Sequence, residues 1–247
     1  MNRLGNIETV VLDFDGVLAI MPPDFWTPLK LKALAKIVGK EVTTEDEIFK
    51  EYTKLGENPE IGWRNAYLQV GGKHEDFSEI INNASKAEYL EFDPELLRII
   101  EALNEVFGKI VVFSGSNYGP VVDGLQVLLR DSGALKFFRR IITSDVLEGK
   151  VGKPDPQAYK QMLEMLELEK LRDKAQKGDK VQKKDVKKIN PKTAVLVDDS
   201  ISEIVTARGM GMRTILVGNH PDTAVEYAQP DAQIENIYGL LAILTEE

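Results

Sequence analysis

Short runs of apolar, largely β-branched residues recur along the chain, separated by segments in which apolar residues return every three or four positions. The first run, Thr9–Leu12, shows no polar alternation, which is typical of a strand buried on both faces of a parallel sheet. Comparable runs lie at 109–113, 140–143, 193–197, 213–217 and 232–235. Helical periodicity fills the segments between them, at 94–107, near 120–131, after Pro156, at 201–208 and at 237–244. Strands alternating with helices predict an α/β fold with a doubly wound parallel sheet.

The segment from residue 21 to residue 92 has a different pattern, because it contains helical periodicity alone. We predict four helices there: from Thr27–Pro28 to Gly39, from Thr44 to near Gly56, from Asn58 to Gly71, and from about Glu75 to Tyr89. No strand-like alternation interrupts them. We therefore expect a catalytic core formed by residues 1–20 and 93–247, with an all-helical domain, residues 21–92, inserted after the first strand.

Composition and charge exclude several classes of partner and of active site. The chain has 247 residues, 43% of them hydrophobic, so it can bury a sizeable core. Its net charge of -9 argues against nucleic acid or an anionic membrane as a partner. The absence of cysteine excludes disulfides and thiolate catalysis, and two histidines make a histidine-rich zinc site improbable. Because the first residues lack the apolar stretch of a signal peptide and no apolar run could span a bilayer, we expect a cytoplasmic protein.

One basic segment, residues 169–192, stands out in this acidic chain. We interpret it as a solvated helix extension or a lysine-rich hairpin. A docking patch for an acidic partner or a second subunit is the alternative, and the sequence does not decide between them.

The candidate chemistry begins where the first strand ends. Asp13 and Asp15 follow it directly, and residues two apart in an extended chain project to the same side. Gly16 permits a tight turn and a close backbone approach. In open α/β sheets ligands bind beyond the carboxyl ends of the strands, where two acids bind a hard metal ion or share acid–base work. The alternative is a turn in which Asp15 and Gly16 only end the strand.

Further polar residues follow other strands or lie in the loops between them. Ser114 follows the second strand, Lys153 lies in a GKPDP loop, and Asp198 and Asp199 follow a later strand. Each has an ordinary structural explanation, such as a helix cap or a surface lysine. Together they form one chemical set: carboxylates for Mg²⁺, a nucleophile, a hydroxyl and an ammonium group.

Four motifs in this order, LDFDGV, VVFSGS, GKPDP and VLVDDS, resemble those of the haloacid dehalogenase-like superfamily. The resemblance covers nearly the whole chain and is strongest to the phosphatase branch with a helical cap, the group that includes phosphoglycolate phosphatase and β-phosphoglucomutase. It implies a Rossmann-like core with the inserted helices as the cap. The loop at residues 19–23 departs from the acid and hydroxyl pair common in relatives.

The resemblance also implies roles for the strand-end residues. Asp13 would attack phosphorus and form an aspartyl-phosphate, and Asp15 would protonate the leaving oxygen and then activate water. Ser114 and Lys153 would bind the phosphoryl group, and the backbone near Gly115 would add N–H donors to it.

The metal site and a supporting acid follow from the same resemblance. Asp198 and Asp199, with Asp13 and the backbone carbonyl of Asp15, would hold Mg²⁺, Asp199 being the more direct ligand. Glu203 stands where relatives often have aspartate and would support the site by hydrogen bonding.

The expected function is a Mg²⁺-dependent phosphohydrolase that acts on a small phosphorylated metabolite, as a monomer or a homodimer. A phosphomutase would use the same residues, and a non-catalytic phosphate-binding regulator is a third, weaker hypothesis. Dehalogenation is disfavoured, since those enzymes lack acids at the places of Asp15, Asp198 and Asp199. The sequence leaves open which phosphorylated compound is the substrate.

Overall fold

A six-stranded, entirely parallel sheet forms the centre of the protein in a computed structural model. The structure describes residues 4, 6–58, 60–108, 110–130, 132–176 and 190–245. The strands are β1 (Thr9–Leu12), β2 (Ile110–Phe113), β3 (Phe138–Ile142), β4 (Ala194–Asp198), β5 (Arg213–Val217) and β6 (Ala232–Ile234). Their spatial order is β3-β2-β1-β4-β5-β6. The predicted fold class is confirmed.

Helices cover both faces of this sheet. Those that follow the inserted segment are α5 (Pro94–Phe107), α6 (Tyr118–Leu129), α7 (Pro156–Gln176), α8 (Ile201–Gly209), α9 (Asp222–Ala228) and α10 (Leu240–Thr245). Helix α9 was not predicted, and it is only seven residues long.

The absence of polar alternation in β1 has a direct structural cause. Val10 and Leu12 belong to the apolar cluster that includes residues of α5, α6 and α10, whereas Val11 belongs to the cluster formed with α7 and α8. Every residue of β1 is therefore buried. A strand with apolar layers on both sides needs apolar side chains at every position, so burial explains the pattern.

The segment between β1 and α5 is helical in its described part, residues 21–58 and 60–92. It contains α1 (Trp26–Val38), α2 (Glu47–Gly56), α3 (Gly62–Gln69) and α4 (His74–Phe77), followed by a π-helical turn, Ser78–Asn82, and a 3₁₀ turn, Ala87–Tyr89. These helices have their own apolar cluster, which contains Leu34, Tyr52 and Tyr67 among other residues. The division at residues 20/21 and 92/93 stays a prediction.

Two predicted helix starts in this segment were wrong. Helix α1 begins at Trp26, before Thr27, because the buried ring of Phe25 packs against Trp26 and Tyr89 and anchors the helix without a side-chain cap. Helix α2 is preceded by Asp46, whose carboxylate accepts hydrogen bonds from the backbone and hydroxyl of Thr43.

The other two predicted helices of the segment also differ. The third begins at Gly62 and not at Asn58. The single helix predicted for residues 75–89 is broken, because the carbonyl of Asn82 accepts a hydrogen bond from the backbone N–H of Asn117 in the core.

The basic segment begins inside α7, which extends to Gln176, so its first residues form a helix extension. Residues 177–189 lie outside the described residues, and the docking-patch hypothesis stays untested. Within the described part of the chain, no helix combines the length and apolar character needed to cross a bilayer.

Candidate active site

The candidate site lies at the carboxyl ends of β1, β2 and β4, where the strand order changes direction. Strand β1 pairs with β2 on one side and with β4 on the other. The chain therefore adds β2 and β3 on one side of β1, and β4, β5 and β6 on the other side. This topological switch point is where open α/β sheets bind ligands. Asp13 and Ser114 extend the pairing by one residue, since the N–H of Asp13 donates to Val197 and that of Ser114 donates to Ile142.

Lys153 connects the acids of this site. Its Nζ lies 2.8 Å from Oδ1 of Asp13 and 2.6 Å from Oδ2 of Asp198. The same ammonium contacts the carboxylate of Glu203 and donates to the carbonyl of Phe113. Lys153 and Asp13 are each 5% exposed and Asp198 is fully buried, so water competes little for these interactions.

Asp199 adds a third carboxylate to Asp13 and Asp198. One oxygen of each lies within 4.8 Å of the other two, close enough to share a cation. Asp198 already accepts from Lys153 and, through Oδ1, from the N–H of Ser200. Among the described residues no ion pair joins Asp199 to Lys153, and the role of Asp199 as the more direct ligand stays a prediction.

Gly16 allows the carboxylate of Asp199 to approach the turn after β1. Its φ is 80°, and a Cβ added at this position would lie 2.0 Å from Oδ2 of Asp199. A side chain here would be strained by the backbone and would also overlap the acid.

Burial and mutual repulsion control protonation in this cluster. Burial raises the pKa of Asp13 well above its usual value, and the charges of Asp198 and Asp199 add to this, while Lys153 opposes it. Burial, together with the charge of Asp198, raises the pKa of Asp199 to about 7. Burial alone would lower the pKa of Lys153, but Asp13, Asp198 and Glu203 hold it well above its usual value, so this residue stays cationic.

Asp15 lies beside this cluster in a separate hydrogen-bonded chain. Its Oδ2 accepts from the hydroxyl of Ser116 at 2.6 Å, and the N–H of Ser116 donates to Oγ of Ser114 at 3.0 Å. Gly115, between the two serines, is half-buried. The structure thus places all seven predicted site residues at the ends of neighbouring strands or in the loops that follow them.

A family model described as haloacid dehalogenase-like hydrolase matches residues 7–211, most of the chain. The chain belongs to this family. No curated protein matches the haloacid dehalogenase-like chain significantly.

Solved structures with the same fold are similar over nearly their whole length. A putative β-phosphoglucomutase from Thermotoga maritima is 18% identical with a TM-score of 0.55, covering 96% of this chain and 98% of its own. CbbY from Rhodobacter sphaeroides in complex with phosphate is 18% identical with a TM-score of 0.59, covering 97% and 100%. A HAD phosphatase from Thermococcus onnurineus is 19% identical with a TM-score of 0.55, covering 98% and 99%. At these identities the comparisons show the fold alone.

The acid cluster fits the divalent metal ion that hydrolases of this family typically use. Its donors are hard carboxylate oxygens from Asp13, Asp198 and Asp199, with no sulfur or imidazole among them. Burial is the main cause of the raised pKa values of Asp13 and Asp199, and the charges of the neighbouring carboxylates raise both further. A bound cation would relieve this repulsion between the acids.

Two polar residues of the site escaped the sequence prediction. Lys86 is fully buried beside Asp15, and the sequence indicated only that it lies within the helix predicted from about Glu75 to Tyr89. For Ser116 the sequence alone offers no more than a possible helix cap, but its hydroxyl donates a hydrogen bond to Asp15. The one signal in the sequence was the position of Ser116 two residues after Ser114.

In the inserted segment the sequence offers Lys54, Trp63, Arg64 and Asn65 as candidate substrate contacts. It favours packing between helices for Trp63 and solvation for the charged side chains, and it predicts His74 at the surface. Trp63 packs in the apolar cluster of this segment and Lys54 is exposed, as expected. Arg64 and Asn65 are partly buried, and Arg64 contacts His74, which was expected at the surface. The solvated assignment was therefore wrong for Arg64.

Proposed function

We propose that this haloacid dehalogenase-like hydrolase is a Mg²⁺-dependent phosphohydrolase that cleaves a small phosphorylated metabolite through an aspartyl-phosphate at Asp13. The observation that carries the proposal is the buried pairing of Asp13 with Lys153, next to two further acids suited to a hard cation. Asp15 is close enough for its charge to act on Asp13.

In the first proposed step, a carboxylate oxygen of Asp13 attacks phosphorus and the bond from phosphorus to the ester oxygen breaks. The leaving oxygen takes a proton from Asp15, since an alkoxide is a poor leaving group without one. Lys153 stays cationic and balances the negative charge of the phosphoryl group, while Ser114 and the backbone near Gly115 donate hydrogen bonds to it.

In the second proposed step, the carboxylate of Asp15 takes a proton from water, whose oxygen attacks the phosphorus of the aspartyl-phosphate. This releases inorganic phosphate and restores Asp13. Asp13, Asp198, Asp199 and the backbone carbonyl of Asp15 would hold Mg²⁺, which offsets the repulsion between carboxylate and phosphate when bound. The inserted helices would act as the cap that excludes bulk water.

The test is a phosphate-release screen over sugar phosphates, nucleotides and phosphoglycolate, with Mg²⁺ and with a chelator. We expect Mg²⁺-dependent release that Asp13→Asn lowers on the order of 10³-fold or more. Asp222→Asn, which removes an exposed acid, is the matched control and should leave the rate unchanged.

Two other outcomes would redirect or contradict the proposal. A bisphosphorylated intermediate and an isomeric sugar phosphate, without steady phosphate release, would indicate a phosphomutase. Turnover by Asp13→Asn at the wild-type rate would contradict the nucleophile.

A further inference from the structure

Lys86 is a buried cation that the proposed chemistry does not use. In the described part of the chain, Lys86 and Lys153 are the lysines in the buried class, and Lys86 is 0% exposed. Burying an ammonium group is costly unless it is paired and hydrogen-bonded. Lys153 is explained by the acid cluster, so Lys86 needs an explanation of its own.

The partners of Lys86 are the acid–base candidate and the serine bonded to it. Nζ of Lys86 donates to Oγ of Ser116 at 2.7 Å and lies 3.4 Å from Oδ1 of Asp15. The rings of Phe14 and Trp26 lie 5.8 and 5.5 Å from the same nitrogen. The ammonium group is thus enclosed by aromatic surface and directed at Asp15.

The direction of this hydrogen-bonded chain follows from its chemistry. An ammonium group can only donate, so Oγ of Ser116 accepts from Lys86 and its own proton points to Oδ2 of Asp15. Oδ2 is consequently held as an acceptor at 2.6 Å. Oδ1 of Asp15 is buried, has no hydrogen bond among the described residues, and faces the ammonium group of Lys86 at 3.4 Å.

The same stretch of the inserted segment is attached to the core at a second point. The carbonyl of Asn82 accepts from the N–H of Asn117 at 2.8 Å, and its amide donates to the hydroxyl of Ser144. Both ends of the segment 82–86 therefore contact the loop after β2, Asn82 through Asn117 and Lys86 through Ser116.

From these contacts we infer that Lys86 is a positioning residue for Asp15. Through Ser116 it fixes the rotation of the Asp15 carboxylate and ties that orientation to docking of the inserted helices on the core. The inference rests on the proposed function, because it assigns Lys86 a part in the proton transfer to the leaving oxygen.

The test uses the dependence of kcat/KM on the leaving group, because kcat/KM covers the steps up to release of the alcohol. Dinitrophenyl phosphate needs no proton on its leaving group, whereas an alkyl phosphate does. We expect Lys86→Met and Ser116→Ala to lower kcat/KM about 10²-fold for the alkyl ester and only a few-fold for the dinitrophenyl ester. Ser116→Ala keeps the charge of Lys86, so it separates orientation from charge.

Two controls complete the design. Lys54→Met removes an exposed lysine of the same inserted segment and should change neither ester. Combining Lys86→Met with Asp15→Asn should cost no more than Asp15→Asn alone, if Lys86 acts through Asp15.

Equal losses for both esters, or a change confined to KM, would overturn the inference, since a structural or phosphate-binding role would affect both substrates alike. Thermal unfolding identifies a variant that fails to fold. If Lys86→Met fails to fold, the comparison of the two esters with Ser116→Ala decides whether the inference holds. Failure of the proposed function itself would appear differently, as a wild-type protein that hydrolyses neither ester.

Discussion

Replacing Lys153 with methionine tests the electrostatic design of the site most directly. The change keeps a linear apolar side chain but removes an ammonium group that is 5% exposed and lies 2.8 Å from Asp13 and 2.6 Å from Asp198. Removing one partner of a buried ion pair typically costs about 3–5 kcal/mol, because the other charge remains buried alone. Since Lys153 also contacts Glu203, we expect a loss of about 3–5 kcal/mol in the free energy of unfolding at neutral pH.

The same variant predicts a dependence on pH whose sign follows from the acids. Lys153 lowers the pKa values of Asp13 and Glu203, which burial raises, so its removal raises both further. An acid with a raised pKa in the folded state weakens the fold when it is ionised, and this penalty disappears as falling pH protonates it. The difference in the free energy of unfolding between wild type and variant should therefore shrink as the pH falls from neutral and these acids become protonated.

Guanidinium chloride unfolding in the presence of a chelator measures both effects. Lys160→Met, which removes an exposed lysine of α7, is the matched control and should stay within about 0.5 kcal/mol of wild type. A loss below about 1 kcal/mol for Lys153→Met at neutral pH, or a deficit that grows with acid, would refute the reasoning.

Three further substitutions test other parts of the structure. Asp199→Asn removes an acid whose pKa is raised to about 7, so without metal it should stabilise the fold by about 2–4 kcal/mol at pH 8 and not at pH 4. Equal stability of variant and wild type at pH 8 would contradict this. If the proposed site binds Mg²⁺, the ion should raise the Tm of the wild type. Gly16→Ala should abolish this rise, because its Cβ overlaps Asp199, whereas Gly39→Ala has a φ of 70° but open space and should lose only stability. A rise in Tm with Mg²⁺ as large in Gly16→Ala as in the wild type would contradict the idea that a Cβ at position 16 displaces Asp199. Lys30→Met should raise stability at pH 7, since burial against Trp63 lowers the pKa of Lys30 to about 8, and the gain should vanish above that lysine's usual pKa in urea unfolding. A loss at pH 7 would show that the cation–π contact outweighs the burial penalty.

The sequence was most informative where its signal is local. The apolar runs that became β1 and β4 are buried on both faces, and such strands tolerate no polar alternation. The acids that follow them reach one site because the carboxyl ends of neighbouring parallel strands share an edge. Strand identity and topology together made Asp13, Asp15, Asp198 and Asp199 predictable as a group.

The sequence was less informative where tertiary contacts compete with local preference. Helical periodicity continues through residues 75–89, yet the helix breaks because Asn82 bonds to Asn117 in the core. After this break, the side chain of Lys86 is buried beside Asp15, a position that the neighbouring residues in the sequence do not predict.

The sequence by itself determined the parallel sheet, the family and the residues that end its strands. Buried strands and the polar residues that follow them are visible as local patterns in the sequence. Only the tertiary structure decided which charges meet. Ser116 and Asp15 are 101 positions apart, and Lys153 and Asp13 are 140 apart. The motifs predicted that Lys153 and Asp13 share a site, but the contact between them and the approach of Ser116 to Asp15 depend on how separate elements pack together.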